Sequence, residues 1–285
     1  MTSETPIDIA SPDNSTFWQQ LFKWVVYGLL TVNFAFYFYD DWTITTHTIS
    51  DNSTFDSILS GFATSLAVFA WILLLLLLEL ETYLLEDNQF TKWRVRIMHG
   101  VRALCVLTIG YSMFAFGDYV VDLLPTVDVE EETTSLCDLA DRELSYTYNV
   151  EYTEITSENC GELSTQDKFF WVDGTEVITD AAGLQLERWL AWGDLVEVIA
   201  WMVILISIEV VVRLQDRGIT QGVVMTSLGR TKTVGYIVLF GLAIWWGTLG
   251  HGLYVWDTLL WIGGFIAIEG NLKQWRDEMK EESNA

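Results

Sequence analysis

Residues 201–209 read WMVILISIE, a tryptophan and a glutamate enclosing seven apolar or small residues. The same frame recurs as WILLLLLLE at 71–79 and WIGGFIAIE at 261–269, each with an aliphatic residue directly before the Glu. Two of the three agree further. Glu197 and Asp257 stand four residues before Trp201 and Trp261, and Arg213 and Lys273 stand four after Glu209 and Glu269. A fourth spacing, Trp189–Glu197, lacks the flanking agreement and reads as coincidence.

Each frame lies in a long apolar block, and a bilayer core about 30 Å thick needs about 20 such residues in a helix. Six blocks meet that need with their aromatic and small-residue flanks: Trp24–Tyr39, Ile58–Leu78, Gly100–Phe116, Leu195–Val212, Val234–Leu249 and Trp256–Asn271. Backbone in lipid must satisfy its own hydrogen bonds, so the blocks are read as helices. The first follows a polar leader and ends at Asp40 without a small-residue cleavage pattern, so it is expected to remain as a membrane helix. The predicted fold is an all-α polytopic membrane protein of six transmembrane helices, arranged as three repeated helical hairpins. Internal repeats of this kind are common in transporters.

Composition supports the class. Only 19% of the residues are charged and 51% are hydrophobic, against about 25% charged in a soluble domain. The net charge of −24 has the wrong sign for nucleic acid. Lys23, Lys92, Arg94, Arg96, Arg102, Arg213, Arg217, Arg230, Lys232, Lys273, Arg276 and Lys280 all fall on one side of the six blocks. By the positive-inside rule that side is cytoplasmic and holds both termini, in an inner (plasma) membrane. The opposite segments, 40–57 and 118–191, carry only Arg142, Lys168 and Arg188 against 22 acids.

The expected organisation is therefore a cytoplasmic leader (1–22), helices 1–3 (23–117), an acidic extracytoplasmic domain (118–191), helices 4–6 (192–275) and a charged cytoplasmic tail (276–285). The inserted domain is read as α+β. Glu143–Ile155 alternates at period two, as a half-buried strand does. FFWV-DG-TEVI at 169–178 places two strand runs across an Asp-Gly turn. Cys137 and Cys160 face an oxidising compartment and are expected to pair; Cys105, within span 3, reads as a small core residue. Asp180–Trp192 reads as an amphipathic helix leading into span 4.

An ionisable residue within a membrane helix is costly and marks a functional candidate. Glu79, Glu209 and Glu269 are the inner candidates. Asp194 and Glu197, which share one helix face with Trp201, form with Asp257 an outer entry that would concentrate cations. The six residues make a candidate cation path. The competing reading is structural: Glu209–Arg213 and Glu269–Lys273 are i,i+4 pairs in the favourable order, locking helices. Glu79 has Tyr83 at that spacing, so its base must come from another helix, with Arg102 a candidate. Asn33, Thr31, Thr108, Ser112 and Ser207 read as interhelical hydrogen-bonding groups, and the glycines 241, 247, 250, 263 and 264 as a contact between spans 5 and 6.

No enzyme is expected. His47, His99 and His251 lie at different depths, and there is no Cys-x-x-Cys, His-Glu-x-x-His, phosphate loop or nucleophile elbow. No catalytic residue, cofactor or bound metal is assigned. Two functions stay open: a cation-handling channel or transporter for monovalent or divalent ions, and a non-catalytic scaffold or accessory subunit whose acidic outer domain binds a protein partner. The first is favoured, because six spans with repeated acids are a costly way to hold one small domain.

Overall fold

The structure, a computed structural model of the chain, describes residues 14–48, 54–80, 91–129, 133–172 and 176–265. Glu269, Lys273, the end of span 6 and the charged tail lie outside the described residues, as does the Asp173-Gly174 turn.

Helix α1 (Asn14–Thr48) is twice the length of the apolar block that announces it. Lys23, Val26, Leu30, Asn33, Tyr37 and Asp41 recur three or four apart and are all buried, whereas Phe22, Trp24, Val32, Phe36 and Trp42 are exposed. Polar side chains therefore face the protein and large apolar ones face outward, the reverse of a soluble helix. The second block is broken. Helix α2 (Phe55–Gly61) and helix α3 (Ala63–Glu79) meet at Phe62 with a bend of 63°. The break frees backbone donors at the start of α3, and the Ser65 N–H donates to Asp41 Oδ2 at 2.8 Å. Helix α4 (Lys92–Asp122) packs along α3, and Ser112 Oγ donates across the interface to the Ala63 carbonyl at 2.9 Å.

Between α4 and the last helices lies a mixed four-stranded sheet: β1 (Ser145–Tyr148), β2 (Glu151–Glu154), β3 (Phe169–Trp171) and β4 (Val177–Asp180), in the order β2-β1-β4-β3. β1 and β4 run parallel, and the outer pairs are antiparallel. The expected Glu143–Ile155 strand is a hairpin, not one strand. Asn149 and Val150 turn the chain with φ of 55° and 66°, the positive values a two-residue turn of the tightest kind requires. Helix α5 (Cys160–Leu163) is tied by the Cys137–Cys160 disulfide to a 3₁₀ turn at Leu136–Leu139. Leu136, Leu139, Ile155, Phe169 and Ile178 pack around the bridge as the domain's core.

Helix α6 (Ala181–Asp216) fuses the amphipathic segment and span 4 into one rod. Its start is built by Asp180, whose Oδ1 accepts from the N–H groups of Ala182 (3.0 Å) and Gly183 (2.9 Å). Its Oδ2 accepts from Tyr146 Oη (2.9 Å) and Ser164 Oγ (2.7 Å). Burial alone would push the Asp180 carboxyl up, but these four hydrogen bonds hold it below its ordinary range. The same hydrogen bond keeps the Tyr146 hydroxyl from ionising, its pKa raised by burial and by Asp180. Gly183 is needed here, since a Cβ would strike the Thr179 hydroxyl. One turn later Arg188 donates to the carbonyls of Leu123 (2.7 Å) and Leu124 (3.0 Å), closing the C-terminal end of α4.

Helix α7 (Val223–Thr248) returns along α6, and residues 252–265 form helix α8. Gly235 makes the α6–α7 approach possible: a Cβ would lie 2.8 Å from Ile204. The glycine contact expected between spans 5 and 6 is not the one found. Gly241 and Gly263 face open space, Gly264 packs on Val26 of α1, and only Gly247 meets α8, at Val255. Three helices, α1, α4 and α6, are long and apolar enough to cross a membrane, or four if the bent α2–α3 pair is one span. The expected six are not reached among the described residues. α7 is diluted by Gly, Thr and Trp, and α8 is described for only its first turns.

Candidate functional site

Trp71, Trp201 and Trp261, the leading residues of the three WxxxxxxxE frames, meet in the centre of the bundle. Their ring centroids form a near-equilateral triangle of 6.5, 6.2 and 6.4 Å, with Phe265 stacked on Trp201 at 5.5 Å. Such edge-on aromatic contacts add about 0.5–1.5 kcal/mol each beyond area burial. α3, α6 and α8 all run away from the sheet, so the residue four before each Trp sits one turn nearer the sheet, about 6 Å along the axis. In α6 and α8 that residue is an acid, Glu197 and Asp257.

These acids line a cavity of about 550 Å³ that has the tryptophans as its floor and opens beneath the sheet. Asp194 and Glu197 come from α6, Asp41 from α1 and Asp257 from α8, with Glu187 two turns above Asp194. Exposed Asp56, Asp118, Asp122 and Glu176 form the rim. Among the described residues that line it there is no Lys, Arg or His. Ionised carboxylates that share a cavity with apolar walls repel one another unless a cation lies among them.

The acids differ in their support. Asp257, 7% exposed, accepts from Asn33 Nδ2 at 2.9 Å. Asp41, 5% exposed, caps the start of α3 through Ser65. Glu197 has a long 3.5 Å bond from Trp201 Nε1, with the Trp246 and Thr258 side chains as further donors beside it, and Asp194 has no hydrogen-bond partner among the described residues. One further polar atom in the wall is unpartnered among those residues: Glu187 Oε1, in a residue 4% exposed.

The other candidates lie elsewhere. Glu79 is buried at the far end of α3 with Lys23 Nζ against its Oε1 and Tyr27 Oη 3.3 Å from its Oε2. Its base is therefore on α1, not Arg102. Glu209 pairs with Arg213 on its own helix at 2.8 Å, with both side chains largely exposed. Neither enters the cavity. Of the interhelical hydroxyls and amides expected, Asn33 and Ser112 bond across helices. Thr31, Thr108 and Ser207 bond back to their own helix.

Sequence reasoning missed Asp41, Glu187, Tyr37, Trp246 and Tyr254. A signal existed for three of them. Asn33, Tyr37 and Asp41 repeat every fourth residue, and Glu187, Asp194 and Trp201 every seventh, so each set lies on one helix face.

The sheet is fastened to the helices beside the cavity. Asn149, in the strained turn, donates from Nδ2 to the Leu249 carbonyl at 3.0 Å, and its Oδ1 lies 3.0 Å from His251 Nε2. With Nδ2 already donating, that contact makes His251 the donor. Burial lowers the His251 pKa, partly offset by Glu151 and Asp40. Asp257, six residues after His251, turns inward to Asn33.

No protein-family model matches the chain, and no curated protein or solved structure matches it.

Proposed function

We propose that the chain is an integral membrane protein that takes up a cation from the sheet side into this cavity, as a transporter rather than an open channel. The observation that carries the reading is the convergence of Asp41, Asp194, Glu197 and Asp257, from three helices, on one space lined by no base among the described residues. The tryptophan floor favours a transporter, since it separates the cavity from the far end, where Glu79 and Glu209 have bases of their own. On this reading Asp194, Glu197 and Asp257 are the entry and binding groups. Glu79, Glu209 and Glu269 serve as inner sites only in a second state that opens the floor.

The near-threefold tryptophan triangle supports three repeated hairpins and six spans, with α3, α6 and α8 as equivalent members. The cation bias of the chain supports cytoplasmic termini and an extracytoplasmic sheet. The chain has no assigned catalytic role.

Uptake into proteoliposomes tests the proposal. The unmutated protein should accumulate a labelled cation above protein-free vesicles, and Asp194→Asn with Glu197→Gln should reduce uptake at least tenfold while helix content is kept. Uptake equal to protein-free vesicles for Na⁺, K⁺, Ca²⁺, H⁺ and organic ammonium ions alike sinks it.

The ion pairs Lys23–Glu79 and Glu209–Arg213 favour a second reading, a scaffold whose membrane acids lock helices and whose acidic domain binds a protein. Deleting residues 125–185 should then abolish partner recovery from membranes.

A further inference from the structure

From the composition of the cavity wall we infer that the cation is an organic ammonium ion with an apolar body, not a bare metal ion. This rests on the cation-site reading above and narrows its ligand class.

Three observations carry it. The first is size. A cavity of about 550 Å³ lies within the roughly 300–1,000 Å³ range of sites for small organic ligands. A calcium ion instead takes six to eight oxygens converging at about 2.3–2.6 Å. Among the described residues no three His, Cys, Asp or Glu side chains are placed to hold a metal ion together. The carboxylates surround the space without closing on a point.

The second is the wall between the acids. Trp246 and Tyr254 stack at 4.9 Å, Tyr37 meets Tyr254 at 5.6 Å, and Trp201 and Trp261 floor the space. Aromatic faces attract an ammonium group through the ring quadrupole and accept its alkyl body by burial. A small, strongly hydrated ion gains little from such a surface.

The third observation points to a ligand without reference to charge. Glu187 Oε1 belongs to a residue more than nine-tenths buried, lies in the wall, and is unpartnered among the described residues. It is costly to leave so in a folded protein. A ligand with a hydrogen-bond donor besides its ammonium group would satisfy it.

Calorimetric titration of the full chain in lipid nanodiscs, at one ionic strength, tests this. The probes are choline, benzyltrimethylammonium, NaCl, KCl, CaCl₂ and 3,3-dimethylbutan-1-ol, the neutral counterpart of choline. Both ammonium ions should bind at least tenfold more tightly than any of the three metal ions, and choline at least tenfold more tightly than its neutral counterpart. Tyr254→Leu should weaken benzyltrimethylammonium about three- to tenfold, within the range of cation–π contacts.

Metal ions binding as tightly as choline would overturn the organic ligand and leave the cation site standing. The neutral alcohol binding as well as choline would overturn it too, reducing the site to an apolar pocket. Silence from every cation would remove both the ligand class and the site. The selectivity measurement needs only the unmutated protein, so a variant that fails to fold does not protect the inference.

Discussion

The two ends of the helix bundle use acids in opposite ways. At the far end each described glutamate has a base at hand: Lys23 reaches Glu79 from a neighbouring helix, and Arg213 reaches Glu209 from the next turn. At the sheet end Asp41, Asp194, Glu197 and Asp257 share one space, and no base among the described residues lines it. A charge that is buried and paired contributes to helix packing. Charges that are gathered and unpaired cost stability and are retained where something else supplies the counter-charge. Trp201 marks the border, with Glu197 one turn above it and Glu209 two turns below, on the same α6.

The strongest test of this contrast is Lys23→Met. Glu79, 5% exposed, would keep its charge without its base. Removing one member of a buried pair costs about 3–5 kcal/mol, so thermal unfolding in detergent should show a large loss. Adding Glu79→Gln should recover most of it. No loss in the single variant would mean that the far end is no better neutralised than the cavity, and the contrast would break.

Asp180→Ala comes next, because Asp180 is a sheet-side acid with both oxygens hydrogen-bonded, by four donors in all. It loses the α6 cap and leaves the Tyr146 hydroxyl without its acceptor, about 2–3 kcal/mol in all. The pH dependence has a definite sign. Its folded pKa lies below the ordinary 3.8, so its contribution is complete above that value. It is lost as pH falls through the lower folded value. Denaturant midpoints measured at pH 7 and in acid should therefore differ less in Asp180→Asn than in the unmutated chain.

The membrane character was legible because an apolar run of twenty residues has few other uses. So was the helix face joining Asp194, Glu197 and Trp201, since helical geometry is local. Long-range pairing was not. Lys23 lies 56 positions from Glu79, and Asn33 lies 224 from Asp257, distances at which no periodicity speaks. The β1–β2 turn was hidden for another reason. The polar–apolar alternation continues straight through Asn149-Val150, and a β-branched residue with φ of 66° is rare enough that no turn signal marks it. The break at Phe62 did carry a local signal, the Ser60-Gly61 pair directly before it, since sharp helix kinks fall at such pairs.

A smaller effect of opposite sign is expected at the cavity. Asp194 shares the cavity with Asp41, Glu187 and Glu197 and has no described hydrogen-bond partner, so Asp194→Asn should stabilise the ligand-free protein by about 1 kcal/mol through relief of repulsion. Differential scanning calorimetry at low ionic strength reads the gain. Destabilisation would show that a base among the undescribed residues had been serving Asp194, and the two ends would become alike.

Arg213→Gln should have the least effect, and its smallness is informative. Glu209 and Arg213 have the spacing, order and 2.8 Å contact of a helix-stabilising pair, but the side chains are 46% and 71% exposed. Such pairs contribute about 0.3–0.5 kcal/mol in water. The unfolding temperature should scarcely move if the pair sits in a hydrated headgroup layer. A loss of several kcal/mol would place the pair in hydrocarbon, where a charged glutamate without its arginine is costly. Glu209 would then lie deeper than the contrast between the two ends assumes. One substitution at an exposed pair thus locates the bilayer edge on α6, and with it the depth of the tryptophan floor eight residues toward the sheet.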